Sequence, residues 1–186
     1  MNKPLSEMSL EELWELFPIF LVPHNPEWFN WFKDEEKFLT SIIPHDYLVR
    51  IDHIGSSAIR EIMSKNIVDV MVVLNSIDLF PTVKKILLDN GYLLMNEEGQ
   101  RMSFNKGYTP NGFANRVFHI HVRLNDDIDE IYFKNYLITH PVVAKRYEEL
   151  KKELWHKYEH NRDAYTEGKS EFVKMYTVLA KEKNRV

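Results

Sequence analysis

The feature that most constrains this fold is an almost continuous β-branched run, IVDVMVVL, at residues 67–74. An apolar run of this length and composition is typical of a strand that is buried on both faces of a sheet. One acidic residue, Asp69, interrupts the run. Because an unpaired buried carboxylate costs several kcal/mol, we expect Asp69 to have partners inside the fold and a functional role.

The remaining sequence predicts an α+β fold, a mixed β-sheet with flanking helices and a helical C-terminal third. The 186 residues fit one domain, with a sheet core at about 19–124 and a helical part at about 127–184. Apolar and alternating segments predict strands at 19–22, 47–54, 67–74, 92–95, 101–106 and 116–124. Helical spacing predicts helices at about 9–17, from 26, at 76–90 and 127–139, from 141 and from 166.

Two of these helices rest on particular side chains. Ser9 and Glu12 have the spacing of a capping box, which predicts that a short helix begins there. Pro26 suits the first turn of the next helix. We predict that this helix buries Phe29, Phe32, Phe38 and Leu39 and exposes Asp34, Glu35, Glu36 and Lys37.

Composition excludes several classes of function. The formal net charge is -4 and the pI is about 6.1, which argues against bulk nucleic-acid binding but allows a small basic pocket. The chain has no cysteine, so disulfides, thiolate metal sites and cysteine nucleophiles are ruled out. It shows neither a signal-peptide pattern nor an apolar stretch long enough to span a bilayer, and we expect a cytoplasmic protein without membrane contact.

A Gly-Ser turn precedes the acidic strand. Gly55, Ser56 and Ser57 end one strand, and Asp69 follows thirteen residues after Ser56. Glycine lets a backbone approach a ligand closely, and serine hydroxyls and amides near a helix N-terminus bind phosphate oxygens. An aspartate on the neighbouring strand can hold a divalent metal against those phosphates. The alternative is an ordinary turn in which a serine caps the next helix.

Histidines are candidates for the same site. His119 and His121 alternate with apolar residues, so both face one side of their strand. With His53 and Asp69 they form a candidate set of metal ligands, for magnesium, manganese or zinc. The alternative is a half-exposed strand whose histidines bind water, and a structural role for His53 in orienting Asp69. Asp52 points away from His53 and is expected to be a surface or pairing residue.

Basic residues supply the other half of a phosphate site. The candidates are Lys65 before the acidic strand, and Arg162 and Lys169 near the start of the last predicted helix. For each of them the alternative is a solvated surface charge. Aromatic residues at 147, 155, 158 and 176 lie at helical spacing and are interpreted as core.

Several segments together resemble the GrpB family over nearly the whole chain. They are VPHNPEW (22–28), DHIGSSAI (52–59), SKNIVDVMV (64–72), HIHV (119–122), FKNYLITHP (133–141) and RDAYTEGKSEFV (162–173). The resemblance implies a nucleotidyltransferase-type fold, in which a Gly-Ser turn is followed by paired carboxylates. It also implies a nucleotide or another phosphorylated small molecule as the ligand. Such domains also occur fused to a dephospho-coenzyme A kinase, which would suit an accessory role.

The sequence departs from that superfamily pattern at one position. A two-metal transferase needs carboxylates at Asp69 and at the residue two positions on, which here is Met71. A thioether cannot hold magnesium. The strand of His119 and His121, where a third carboxylate is expected, offers imidazoles, which suit transition metals better than magnesium. The site has therefore either exchanged a magnesium pair for a single metal or lost metal.

Three functions remain open from the sequence. The first is nucleotidyl transfer, in which Asp69, His119 and His121 are catalytic and the basic residues neutralise charge. The second is a non-catalytic module that binds a nucleotide for sensing or for docking to an enzyme. The third is a metal-dependent hydrolase, which requires His53 to converge with the other three ligands.

Overall fold

The computed structural model describes residues 3–183, and its elements alternate between helices and strands before ending in helices. The strands are β1 (Leu48–Ile54), β2 (Val68–Leu74), β3 (Leu93–Glu98), β4 (Arg101–Thr109) and β5 (Gly112–Leu124). The first helices are α1 (Leu10–Leu16), α2 (Glu27–Ile42) and α3 (Phe80–Asp89). The last four are α4 (Asp129–Thr139), α5 (Pro141–Tyr158), α6 (Arg162–Glu167) and α7 (Ser170–Lys183).

The five strands form one mixed sheet in the order β1-β2-β5-β4-β3. Strand β2 runs parallel to β5, and every other pair is antiparallel. The predicted α+β architecture with a mixed sheet is therefore confirmed. The parallel pair matters for the site because its register sets Asp69 opposite His119.

The two faces of the sheet are covered differently. Val68, Val70 and Val72 of β2 pack under α2 and α3 in the main hydrophobic core. On the opposite face, Met71 and Val73 pack in a smaller cluster with Ile54 of β1 and with Ile128 and Ile131 at the start of α4. Along the rest of that second face the sheet carries polar side chains, which are enclosed by α1, α5 and α6 rather than packed.

Helix α2 buries a different set of side chains from the predicted set. Phe32 and Leu39 are buried as predicted, whereas Phe29 and Phe38 are 55% and 36% exposed. Glu35, predicted to be exposed, is buried because it accepts hydrogen bonds from the Tyr92 hydroxyl and from Lys106. A buried ion pair on the inner stripe takes the place that an apolar residue was expected to fill.

Three segment predictions are wrong in their element or their bounds. Residues 19–22 do not form a strand, and only Val22 makes an isolated bridge, to Ser64. Their apolar character comes from burial under the C-terminal helices, where the Ile19 amide donates to the Glu159 carbonyl. The hairpin of β4 and β5 is longer than predicted, because both strands continue to a tight turn at residues 110–111.

The last predicted helix is two helices. Helix α6 begins at Arg162, ahead of the predicted start near 166, and the chain turns at Gly168 before α7. Gly168 packs so closely on Leu154 that a Cβ there would overlap its side chain. The predicted end at about 184 lies outside the described residues. No helix within residues 3–183 is both long enough and apolar enough to cross a bilayer.

Candidate functional site

Asp69, His119 and His121 converge on the polar face of the sheet, and we call them the Asp–His cluster. His119 Nδ1 lies 3.2 Å from Asp69 Oδ1, and His121 Nε2 lies 3.4 Å from the same oxygen. The parallel register of β2 and β5 produces this arrangement, because residues two apart on a strand share a face. The structure therefore brings together three of the four predicted metal ligands.

The spacing of the cluster suits a metal ion. Ligand atoms that are each about 2.1 Å from one metal lie roughly 3.0–3.4 Å apart, depending on the coordination geometry. The separations of 3.2 and 3.4 Å fall in this range. Two imidazoles and one carboxylate favour zinc, iron or manganese over magnesium. The donor types and the two separations from Asp69 thus fit a single transition metal, and all three ligand atoms lie within 4.8 Å of one another.

A hydrogen-bonded chain extends from the cluster to a cation. His119 Nε2 lies 2.8 Å from the Tyr108 hydroxyl, which accepts a hydrogen bond of 2.9 Å from Arg162 Nη1. Burial lowers the pKa of His119 to about 4, so the imidazole is neutral at pH 7. Without a metal its one proton lies on Nδ1 and is donated to Asp69, while Nε2 accepts from Tyr108. A metal at Nδ1 would require the proton to move to Nε2, where the Tyr108 hydroxyl would accept it and hold the ring in place.

Asp69 remains ionised although it is largely enclosed. Burial alone would raise the pKa of its carboxyl, but the hydrogen bonds from His119 and His121 hold the pKa well below its usual range. The carboxylate is therefore available as a ligand or an acceptor at neutral pH. This confirms the expectation that a charge inside the β2 strand has bonding partners.

The Gly-Ser turn lies directly against this carboxylate. Gly55 has φ of +70°, and a Cβ at that position would overlap Asp69 Oδ2. Only glycine satisfies both conditions. Ser56 lines the cavity, and its predicted role in phosphate binding stays a prediction. Ser57 does not face it, because it is buried and its hydroxyl bonds His53 Nε2 at 3.0 Å.

His53 lies on the other face of the sheet and not in the Asp–His cluster. In the antiparallel register of β1 and β2, Ile54 is opposite Asp69 and His53 is opposite Val70. Its ring stacks on Phe32 of α2 at a centroid distance of 5.0 Å. Burial lowers the pKa of His53 to about 4, so it is neutral and structural. The prediction that His53 is a metal ligand is corrected for this reason. Asp52 pairs with Arg50, as expected of a pairing residue.

Four cationic side chains surround the cluster, and we call them the cation group: Lys65, Lys151, Arg162 and Lys169. Three of them were predicted from the sequence, and Lys151 was not. Lys65 and Lys169 lie over the Tyr165 ring, and Lys151 donates to the carbonyl of Met63. Within residues 3–183 none of the four forms an ion pair with a carboxylate.

The lysines of the cation group are held in an environment that disfavours their charge. Burial, with added repulsion from Lys169, lowers the pKa of Lys151 to about 7. Burial, with repulsion from Arg162, lowers that of Lys169 to about 8. Burial also lowers the pKa of Lys65 well below its usual value. Nη2 of Arg162 is buried without a hydrogen-bond partner among the described residues. The charge of Asp69 offsets this only in part, and an anionic ligand would supply further negative charge.

Helix α5 contributes residues that sequence reasoning missed. Tyr147 and Lys151 are four positions apart and share the face that lines the cavity. Tyr147, interpreted as core, also hydrogen-bonds with Ser56 of the turn. The spacing of four was a usable signal for the pair, but nothing in the sequence indicated that this face of α5 would lie over the sheet. Tyr108 on β4 also lines the cavity, and nothing in the sequence indicated its position either.

These residues line one cavity of about 720 Å³. Its lining combines the Asp–His cluster and the cation group with residues of α1 and β3. The acidic side chains among its lining residues are Asp69 and Asp163, and the latter is exposed at the rim. A cavity of this size with a few convergent polar groups is typical of a small-molecule site.

Comparison with known proteins agrees with the fold. The family model described as GrpB protein matches residues 18–178. The chain belongs to the GrpB family. The glutamate-rich protein GrpB of Alkalihalophilus pseudofirmus is 31% identical over 160 residues, which cover 83% of this chain and 91% of that protein. The UPF0157 protein YqkA of Bacillus subtilis is 29% identical over 170 residues, or 90% of this chain, and the match spans only 48% of its own length.

Solved structures share the fold of this GrpB-family chain. The conserved protein GrpB from Enterococcus faecalis superposes with a TM-score of 0.77 and 25% identity, covering 90% of this chain and all of that one. Cid1, described as having RNA terminal uridylyl transferase activity, superposes with a TM-score of 0.51 and 13% identity. That match covers 80% of this chain and 44% of Cid1, and at this identity it shows the shared fold alone.

Proposed function

We propose that the protein binds a nucleotide or a related phosphorylated ligand in this cavity. The observation that carries the proposal is the cation group, three lysines and an arginine that line one cavity without an ion pair to a carboxylate in the described residues. Crowding these groups together disfavours their positive charge unless a ligand brings negative charge. Phosphate oxygens supply that charge and accept the hydrogen bonds that buried lysine and arginine side chains donate.

The turn and the Asp–His cluster support a phosphate position beside a metal. The backbone at Gly55 lies against Asp69, so a phosphate at the Gly55-Ser56 turn also lies beside the cluster. Asp69, His119 and His121 would hold one divalent transition metal, which would neutralise phosphate charge when bound. The Tyr108–Arg162 link would join that metal position to the cation group.

Among phosphorylated ligands, we favour nucleoside triphosphates because of the fold. Cid1, which has this fold, is described in a structure with Mg 3'-dATP bound, at a TM-score of 0.50. The cavity of about 720 Å³ is large enough to take more than a phosphate group. We therefore expect the rest of the nucleotide to contact parts of the cavity beyond the cation group.

Nucleotidyl transfer is a second candidate, supported by the contact of the Gly-Ser turn with Asp69. A phosphate bound at the turn would lie next to a metal held by Asp69. The chemistry has one metal position at most, because Met71 is fully buried among Ile54, Val73 and Ile131. The hydrolase alternative requires His53 to converge with the other three ligands, and this requirement is not met because His53 lies on the other face of the sheet.

Binding is tested by calorimetric titration of ATP and UTP with and without Mn²⁺ or Zn²⁺. Lys169→Met should weaken binding about tenfold or more, since a buried charged hydrogen bond contributes roughly 1.5–3 kcal/mol. Lys174→Met, an exposed lysine on α7, is the matched control and should leave binding unchanged. Equal affinity of the two variants would contradict the proposal.

Transfer is tested separately with nucleotide labelled at the α-phosphate. Metal-dependent incorporation into an acceptor, lost in Asp69→Asn, would support the enzyme. Tight binding without any release of pyrophosphate would support the non-catalytic module instead.

A further inference from the structure

Part of the cavity lining is apolar, and phosphate binding makes no use of it. Helix α1 contributes Leu10, Leu13 and Trp14, and strand β3 contributes Leu93 and Met95. We call these five side chains the apolar wall. Leu10, Leu93 and Met95 are 50%, 42% and 58% exposed. Large apolar side chains that remain exposed on two separate elements and face one cavity indicate a binding surface.

The sheet register connects the apolar wall to the Asp–His cluster. Leu93 is opposite Asn105, Asn105 is opposite His119, and His119 is opposite Asp69. Because directly opposite residues share a face, these four side chains form one row across β3, β4, β5 and β2. Neighbouring strands are about 4.8 Å apart, so the row spans roughly 14 Å.

The chemistry of the row changes steadily along its length. It begins with a carboxylate and an imidazole, continues with the amide of Asn105, and ends with an alkyl side chain. Asn105 is 7% exposed and lines the cavity. Its amide offers both donors and an acceptor at the midpoint. A ligand that matches the row has phosphate at one end, hydroxyl groups in the middle and an apolar ring at the other.

We propose that the apolar wall is the subsite for the base of a nucleotide that lies along this row, with its sugar at Asn105 and its phosphates at the cation group. This assignment rests on the proposed function and specifies its ligand. The five side chains of the wall offer a single hydrogen-bonding group, the indole N–H of Trp14. The base is therefore held by apolar contact, and the site discriminates weakly among the four bases.

The test compares ligands that differ only in the base. ATP, UTP and ribose 5-triphosphate carry the same charge, and ribose 5-triphosphate has the sugar but no base. They are titrated by calorimetry in EDTA against the unmodified protein, a Leu10→Ser/Leu93→Ser double variant and a Leu88→Ser control. Leu88 is 43% exposed on α3 and is outside the lining of this cavity, so it matches the removed leucines.

We expect both nucleotides to bind the unmodified protein roughly tenfold more tightly than ribose 5-triphosphate, a difference of about 1.4 kcal/mol. The double variant should lose this difference and keep its affinity for ribose 5-triphosphate, and the control should behave like the unmodified protein. Equal binding of all three ligands to the unmodified protein would overturn the subsite and leave phosphate binding intact. An undiminished preference in the double variant would also overturn it, and no binding of any ligand would overturn both proposals.

Discussion

The affinity of the cavity for a phosphorylated ligand should fall steeply as pH rises from 7 to 9. In the free protein the pKa of Lys151 is about 7 and that of Lys169 is about 8, so both lose their protons in this window. A bound polyanion favours the protonated lysines and raises both pKa values. Binding therefore takes up protons, and by linkage it weakens as the protons become scarce.

The size of the effect follows from these two pKa values. Between pH 7 and pH 9 the protonated fraction falls about fiftyfold for Lys151 and roughly tenfold for Lys169. If both must be charged in the complex, affinity falls by up to several hundredfold, or about 3.7 kcal/mol. The measurement begins at pH 7 because the last ionisation of a phosphate group has a pKa of about 6 and is nearly complete there. The charge of the ligand then stays almost constant over the range.

Calorimetric titration with ATP in EDTA, at half-unit steps of pH, measures this slope without metal chemistry. Lys151→Met should bind more weakly at pH 7 and show only the roughly tenfold decline that Lys169 contributes. Lys174→Met should keep the full slope. An affinity that stays constant from pH 7 to pH 9 would show that the buried lysines do not contact the ligand, and would refute the argument.

Three further predictions concern stability and the metal position. Gly55→Ala should destabilise the fold by more than Gly99→Ala in urea unfolding. Both glycines have positive φ, so alanine at either position costs about 1–2 kcal/mol in backbone strain. Only at Gly55 would the added Cβ also overlap Asp69. Equal losses would show that the contact is not tight. Tyr108→Phe should weaken Zn²⁺ binding about tenfold in a chelator competition, since it removes the bond that orients His119; an unchanged constant would exclude that role. Glu35→Ala should cost about 1–3 kcal/mol by leaving the buried Tyr92 hydroxyl without its acceptor and the partly exposed Lys106 without its partner, whereas Glu36→Ala should cost little. A similar loss in both, measured by thermal unfolding, would contradict the buried pair.

The sequence predicts the centre of the site because strand periodicity is local. The apolar run around Asp69 and the alternation of His119 and His121 specify which side chains share a face. They do not specify how β1 aligns with β2. A register shift of one residue would exchange the faces of His53 and Ile54, and this choice depends on packing against α2 rather than on the strand itself.

Helix positions were predictable in sequence but not in space. The pattern of α5 identifies a helix, yet the contact of Tyr147 and Lys151 with the cavity depends on how α5 lies over the sheet. Similarly, the local pattern predicts that Glu35 is exposed, whereas its pairing with Lys106 accompanies its burial. Tertiary contacts between distant segments override local preference in each case.

The Asp–His cluster joins two strands that are far apart along the chain, since Asp69 is separated from His119 by 50 residues and from His121 by 52. An ion held by all three would close that stretch of polypeptide into a loop, much as a covalent cross-link does. The unfolded chain holds no comparable set of donors in place, so the energy of capture would go almost entirely to the native state. Heat resistance that increases with added metal would thus report assembly of the parallel strand pair itself.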